Sequence, residues 1–277
     1  LGEWTVATTT SDETTLEYEI RNLESGQKYN VQVYGLTVGD VQSQEATQTE
    51  ATVKPQITAD LDEADGTSTN KVVITYGEED SDAGVFDNYV FTIDSDPVDR
   101  KEKERGDSDR VVTFDENIEA GHHYTVTAYT ESGDEESETK DLSVTTKPLK
   151  VTVVTATPLS GYEVKLTWTP DPGSIQDSYD VRYQGKYQDT TLSRYETTSD
   201  TMTTFSVLLP GEEYTYEVVA ISRDQRSKTT EETAVQFPLP PSTVSIDTDE
   251  TTTSRLTVQW TPTTETYVEQ WRVEYQV

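Results

Sequence analysis

One phrase recurs three times along this chain and fixes most of what it can fold into. It reads "LESGQKYNVQVYG" from Leu23, "IEAGHHYTVTAYT" from Ile118 and "LLPGEEYTYEVVA" from Leu208. Each copy runs apolar residue, two residues, Gly, two residues, Tyr, then alternation. The glycines Gly26, Gly121 and Gly211 are 95 and 90 residues apart, a domain-sized period rather than that of a solenoid. A Gly at a turn can take a positive φ that other residues resist. Beyond it, Tyr214, Tyr216, Val218 and Ala220 share one side of a period-two strand, as do Tyr124, Val126 and Ala128, and Tyr29, Val31 and Val33. A Tyr at the strand entrance can bury its ring while its hydroxyl reaches a nearby backbone group.

Two further alternating segments precede each complete phrase. They are Val164, Leu166 and Trp168 followed by Tyr179, Val181 and Tyr183, and, one period earlier, Val72, Ile74 and Tyr76 followed by Tyr89, Phe91 and Ile93. Tyr179 to Leu208 and Tyr89 to Ile118 are both 29 residues, so register is kept between repeats. No segment has helical periodicity, and short strands with turn signals predict β-sandwiches. A hydrophobic content of 32% would suit a disordered chain, but sixteen Tyr and four Trp at regular spacing supply a core.

The sequence resembles the fibronectin type III family over essentially its whole length. The resemblance rests on the strand-B tryptophans Trp168 and Trp260, the strand-C pattern "YDVRY" and the Gly-x-x-Tyr corner before strand F, where Tyr29, Tyr124 and Tyr214 stand. The junctions "VKP" at 53–55, "TKP" at 146–148 and "PLPPS" at 238–242 fit as well. Tyr76 stands where the family usually has Trp. The resemblance implies an all-β fold of tandem, immunoglobulin-like sandwiches in an elongated array, seven antiparallel strands in two packed sheets per domain. The repeats divide the chain into 1–54 (strands C′ to G of one domain), 55–147 and 148–238 (complete domains) and 239–277 (strands A to C of another). The end pieces read as parts of a longer array or as halves that complement one another head to tail between molecules.

Composition excludes several functions. A formal net charge of −32 repels nucleic acid and anionic lipid surfaces. The absence of cysteine removes disulfides, thiolate metal sites and thiol nucleophiles. The sequence has no apolar run long enough to span a membrane, so no direct membrane contact is expected of it. His122 and His123 are neighbours whose side chains point to opposite faces of an extended chain. No placed nucleophile and base and no phosphate-cradling loop appear, so the chain is expected to be non-catalytic, with no cofactor. The acidic stretches "DLDEADG" (60–66), "GEEDSD" (77–82) and "GDEESE" (133–138) lack a complete calcium-loop spacing and read as solvated loops rather than metal sites.

What remains is recognition through loops. Arg105, Gly106 and Asp107 spell an integrin-type adhesion tag in the connection between strands C′ and E, whereas the resemblance puts working tags between strands F and G. The charges around it can also pair internally and hold the loop flat. The F–G connections "TESGDEESE" (130–138) and "SRDQRSKTT" (222–230) are the other candidates, the second carrying Arg223, Arg226 and Lys228 as a basic island. The expected role is an extracellular or cell-surface array that spaces and presents loops to a protein ligand or co-receptor, as in a receptor-type tyrosine phosphatase ectodomain. The alternatives are a tenascin-like matrix adhesion protein using the Arg-Gly-Asp, and a purely mechanical spacer.

Overall fold

The computed structural model describes residues 4–6, 17–56, 61–65, 67–77, 84–187 and 190–276, and every regular element in them is a β-strand. The side chains of the acidic stretch 60–65 and all of 78–82 lie outside the described residues. The chain divides into two compact units, one of residues 1–65, 73–117 and 124–144, the other of residues 66–72, 118–123 and 145–277.

In the first unit β1 (Lys28–Val33) pairs antiparallel with β2 (Thr47–Thr52), Val31 opposite Thr49. Then come β3 (Leu61–Asp65), β4 (Val72–Tyr76), β5 (Asn88–Ile93), β6 (Asp99–Glu104), β7 (Val111–Phe114), β8 (His123–Ser132), β9 (Glu135–Glu136) and β10 (Lys140–Thr145). They form a three-stranded sheet, β3-β4-β7, and a second sheet, β10-β8-β5-β6, with β9 added to β8. Tyr76 on β4 meets Tyr89 and Phe91 on β5 at ring-centroid distances of 5.1 and 5.0 Å, joining the two layers where a Trp would otherwise stand.

The second unit repeats this plan with β11 (Val153–Pro158), β12 (Glu163–Thr169), β13 (Ser178–Tyr187), β14 (Thr190–Thr198), β15 (Met202–Ser206), β16 (Glu213–Ser222), β17 (Gln225–Arg226) and β18 (Thr230–Val235). Sheet β11-β12-β15 faces sheet β14-β13-β16, which carries β17 and β18. Alternation along β12 sends Val164, Leu166 and Trp168 inward, and along β16 Tyr214, Tyr216, Val218 and Ala220. The layers interlock through ring pairs, Trp168 with Tyr179 at 5.4 Å and Tyr183 with Phe205 at 5.0 Å. Each fully buried aromatic contributes on the order of 2–3 kcal/mol of apolar transfer.

A tyrosine corner forms at Tyr214 and at Tyr29. Tyr214 is 1% exposed, and its hydroxyl accepts the Leu209 N–H at 3.0 Å; the Tyr29 hydroxyl accepts the Glu24 N–H at 2.9 Å. Tyr124 is 2% exposed. Gly26, Gly121 and Gly211 all take positive φ, between +69° and +79°.

The strand pair β19 (Thr243–Ile246) and β20 (Val258–Thr261) ends the described elements, with Val244 opposite Trp260. Trp260, which the sequence places in a strand-B core, is 37% exposed and leans on Trp271 at 6.4 Å. It occupies the position of Trp168, but no second sheet closes over it among the described residues.

Candidate partner-binding loops

The two F–G connections are tight hairpins. β8 runs through Ser132 and β16 through Ser222, and β9 and β17 fold back on them, leaving two-residue tips at Gly133-Asp134 and Arg223-Asp224. The first tip residue has positive φ in both, +59° at Gly133 and +52° at Arg223.

The two hairpins are built from the same bonds. Gly133 N–H donates to Asp87 Oδ2 at 2.9 Å, and Arg223 N–H to Asp177 Oδ2 at 2.7 Å. Thr130 N–H donates to Ser137 Oγ at 3.0 Å, and Ala220 N–H to Ser227 Oγ at 2.9 Å. The serines return their own N–H groups to the Thr130 and Ala220 carbonyls. Each tip thus rests on a fixed root, which reduces the ordering cost a partner must meet.

The side chains differ. Arg223 and Lys228 are exposed, and neither makes an ion pair among the described residues. Arg226 is not available in the same way, because its guanidinium pairs with Asp180 on β13, whose side chain is only 3% exposed. Burial pushes the Asp180 carboxyl upward, but hydrogen bonds from Thr197 and Tyr195 and the charge of Arg226 outweigh it and hold the group below the usual carboxylate range. Arg226 therefore neutralises a buried charge, so the basic island is carried by Arg223 and Lys228.

The Arg-Gly-Asp turn follows directly on β6, as its placement between strands C′ and E predicts. Gly106 has φ +84°, and Asp107 N–H closes the turn on the Glu104 carbonyl at 3.1 Å. Asp107 is half-buried. Its Oδ1 accepts the Asp109 N–H at 2.9 Å, and its Oδ2 lies 3.7 Å from Lys103 Nζ, which also bonds Asp109 at 2.9 Å. Arg105 is exposed but turned inward, with Nη1 donating to the Gly84 carbonyl at 2.9 Å and its guanidinium 4.6 Å from the Phe86 ring centre. The flanking charges pair internally, and freeing Asp107 costs about 1 kcal/mol per lost bond.

The histidines do not converge on a reactive group. His123 Nδ1 lies 2.9 Å from Thr145 Oγ1, and His122 Nδ1 lies 3.8 Å from Glu119. No cluster of three or more His, Cys, Asp or Glu side chains suited to a metal occurs among the described residues. Sequence reasoning missed Asp180 and Glu217, two buried acids on the sheet that carries the basic hairpin. Glu217 accepts two hydrogen bonds from Arg182, at 2.8 and 2.6 Å. The only available signal was the alternation in "YDVRY", which puts Asp180 and Arg182 on the face away from Tyr179 and Val181.

The family model for the fibronectin type III domain matches residues 149–236. No curated protein matches the chain. Among solved structures, a two-domain fibronectin type III segment from chicken tenascin is similar at 20% identity and a TM-score of 0.44, covering 66% of this chain and 99% of that one. The FN1–FN3 domains of chicken CNTN1 are similar at 12% identity and a TM-score of 0.34, covering 70% of this chain and 72% of that one. The segment 149–236 is a fibronectin type III domain, and the strands upstream of it repeat its order.

Proposed function

We propose that this chain is a non-catalytic extracellular array whose repeats, bounded at 54/55, 147/148 and 238/239, space and present loops to a protein partner. The ectodomain of a receptor of the tyrosine phosphatase type is the setting it suits. The observation that carries this reading is the β16–β17 hairpin. Its root is held by hydrogen bonds to Asp177 and Ser227, and it offers Arg223 at its tip and Lys228 just beyond β17 to solvent from a chain of net charge −32. A local basic projection on an acidic body selects an acidic patch on the partner and discourages contact elsewhere.

An adhesion reading through Arg105-Gly106-Asp107 draws on the exposure of Arg105 and Gly106. It requires Asp107 to give up its bond to Asp109 and its approach to Lys103. A tetramerised chain applied to cultured cells separates the readings. Loss of binding in Arg223→Glu/Lys228→Glu supports the hairpin. Loss in Asp107→Glu, with a requirement for divalent cations, supports the adhesion tag. A chain that binds no cell in either form fits the mechanical spacer.

A further inference from the structure

Positive φ alone does not explain why glycine recurs at 26, 121 and 211. Asn22, Asn117 and Val207, four residues before each, also have positive φ and carry side chains. At the glycines there is no room for one. A Cβ on Gly26 would stand 1.6 Å from the Val85 carbonyl oxygen, on Gly121 1.9 Å from that of Ile175, and on Gly211 2.0 Å from that of Tyr267. In each case the intruding backbone belongs to the loop between the first and second alternating segments of the following repeat.

That backbone is bonded as well as close. The carbonyl just before each glycine accepts an N–H from the same loop residue, Val85 to Ser25 at 2.8 Å, Ile175 to Ala120 at 3.0 Å and Tyr267 to Pro210 at 3.0 Å. In the first two cases the glycine carbonyl itself accepts a side-chain hydroxyl, Ser132 Oγ at 2.6 Å to Gly26 and Ser222 Oγ at 2.5 Å to Gly121. Ser132 and Ser222 are buried and are the last residues of β8 and β16, directly before the hairpin tips. Two residues beyond Val85 and Ile175 stand Asp87 and Asp177, whose carboxylates hold the tip N–H groups. The first of these joints lies wholly within the first unit, the other two within the second.

We infer that each glycine turn is the docking point for the next repeat and sets the pose of that repeat's hairpin. The smallest unit that holds a hairpin in its binding pose is then two consecutive repeats, not one. The bonds at the loop are made by backbone atoms, so Val85, Ile175 and Tyr267 differ freely while the glycine and the strand-end serine are constrained. This inference rests on the reading of the hairpins as contact surfaces, and its test needs no partner.

The test is amide hydrogen exchange on the whole chain carrying Ser222→Ala or Ser132→Ala. Removing one such hydrogen bond corresponds to roughly fivefold faster local opening. Ser222→Ala is expected to speed exchange of the Arg223 and Ser227 amides by about that factor, leaving Gly133 and Ser137 unchanged, and Ser132→Ala to do the reverse. Unaltered hairpin exchange in both variants overturns the inference. So does acceleration spread evenly over residues 149–236, which marks a general loss of stability. A chain that binds no partner but shows the local effect keeps the joint and removes the proposed function. Partner binding that depends on Arg223, with exchange unmoved in Ser222→Ala, keeps the function and removes the joint.

Discussion

The β8–β9 and β16–β17 hairpins share their backbone frame and differ in what they balance. Position for position, Asp87 matches Asp177, Ser137 matches Ser227 and Ser132 matches Ser222, and the bonds these residues make agree to within 0.2 Å. The strand beneath them does not match. β5 carries Val90 where β13 carries Asp180, and β9 carries Glu136 where β17 carries Arg226. The frame is set by backbone and short polar side chains, whereas charge on it is a local choice that has to be neutralised on the spot. In the later repeat a buried acid, Asp180, is paired with Arg226 of β17, whereas in the earlier one the hairpin's ion pair runs from Glu131 on β8 to Arg100 on β6, and Glu131 is the more exposed acid.

The largest expected effect follows from breaking the Asp180–Arg226 pair. Arg226→Ala leaves Asp180 buried with only Thr197 and Tyr195 to support it, and is expected to destabilise the 149–236 domain by about 2 kcal/mol. That is less than a fully buried pair would lose, because Arg226 is half-exposed. Glu136→Ala in the matching position is expected to change stability by under about 0.5 kcal/mol. Urea unfolding of both variants checks the difference.

Next in size is the corner hydroxyl. Tyr214→Phe leaves the Leu209 N–H without its acceptor and is expected to cost about 1.5 kcal/mol by the same measurement. Tyr29→Phe, in a half-buried corner, costs less.

A smaller effect of opposite sign separates the repeats at another matched site. Val207 has φ +66° and is 83% exposed, while Asn22 and Asn117 occupy the corresponding left-handed positions. A β-branched side chain is poorly suited there and asparagine is tolerated. Val207→Asn is expected to stabilise by about 1 kcal/mol and Asn117→Val to destabilise by a similar amount, read as shifts of thermal midpoint in opposite directions.

Acidification gives the smallest separation. Because the folded-state value of Asp180 is depressed, its contribution is present above the unfolded carboxyl value, about 3.9. It is lost as pH falls through the lower folded value. Stability of the 149–236 domain is expected to drop below about pH 4, and Arg226→Ala is expected to flatten that dependence in a pH series of thermal melts.

The core was legible because it depends on period-two alternation. Tyr124, Tyr214, Trp168 and Tyr76 could be placed from spacing alone, and the structure buries all four. Trp260 shows the limit, since its spacing is right but burial needs an opposing sheet. The Asp180–Arg226 pair was hidden because its partners are 46 residues apart and an outward-facing acid in a strand ordinarily stays in water. The joint serines were hidden because their acceptors are carbonyls about 100 residues upstream, which sequence does not distinguish from any others. Internal pairing around the Arg-Gly-Asp could be read from its flanking charges, but not that Lys103 would meet Asp107 and Asp109, because turn geometry decides which charges meet.

Nuclear Overhauser contacts between Tyr183 on β13 and Phe205 on β15 probe the two-layer closure on which the hairpin frame depends. With ring centres 5.0 Å apart across the sheets, strong cross-peaks between the two rings are expected in the intact chain. Their absence, with Tyr214 ring protons open to solvent relaxation agents, would contradict the account.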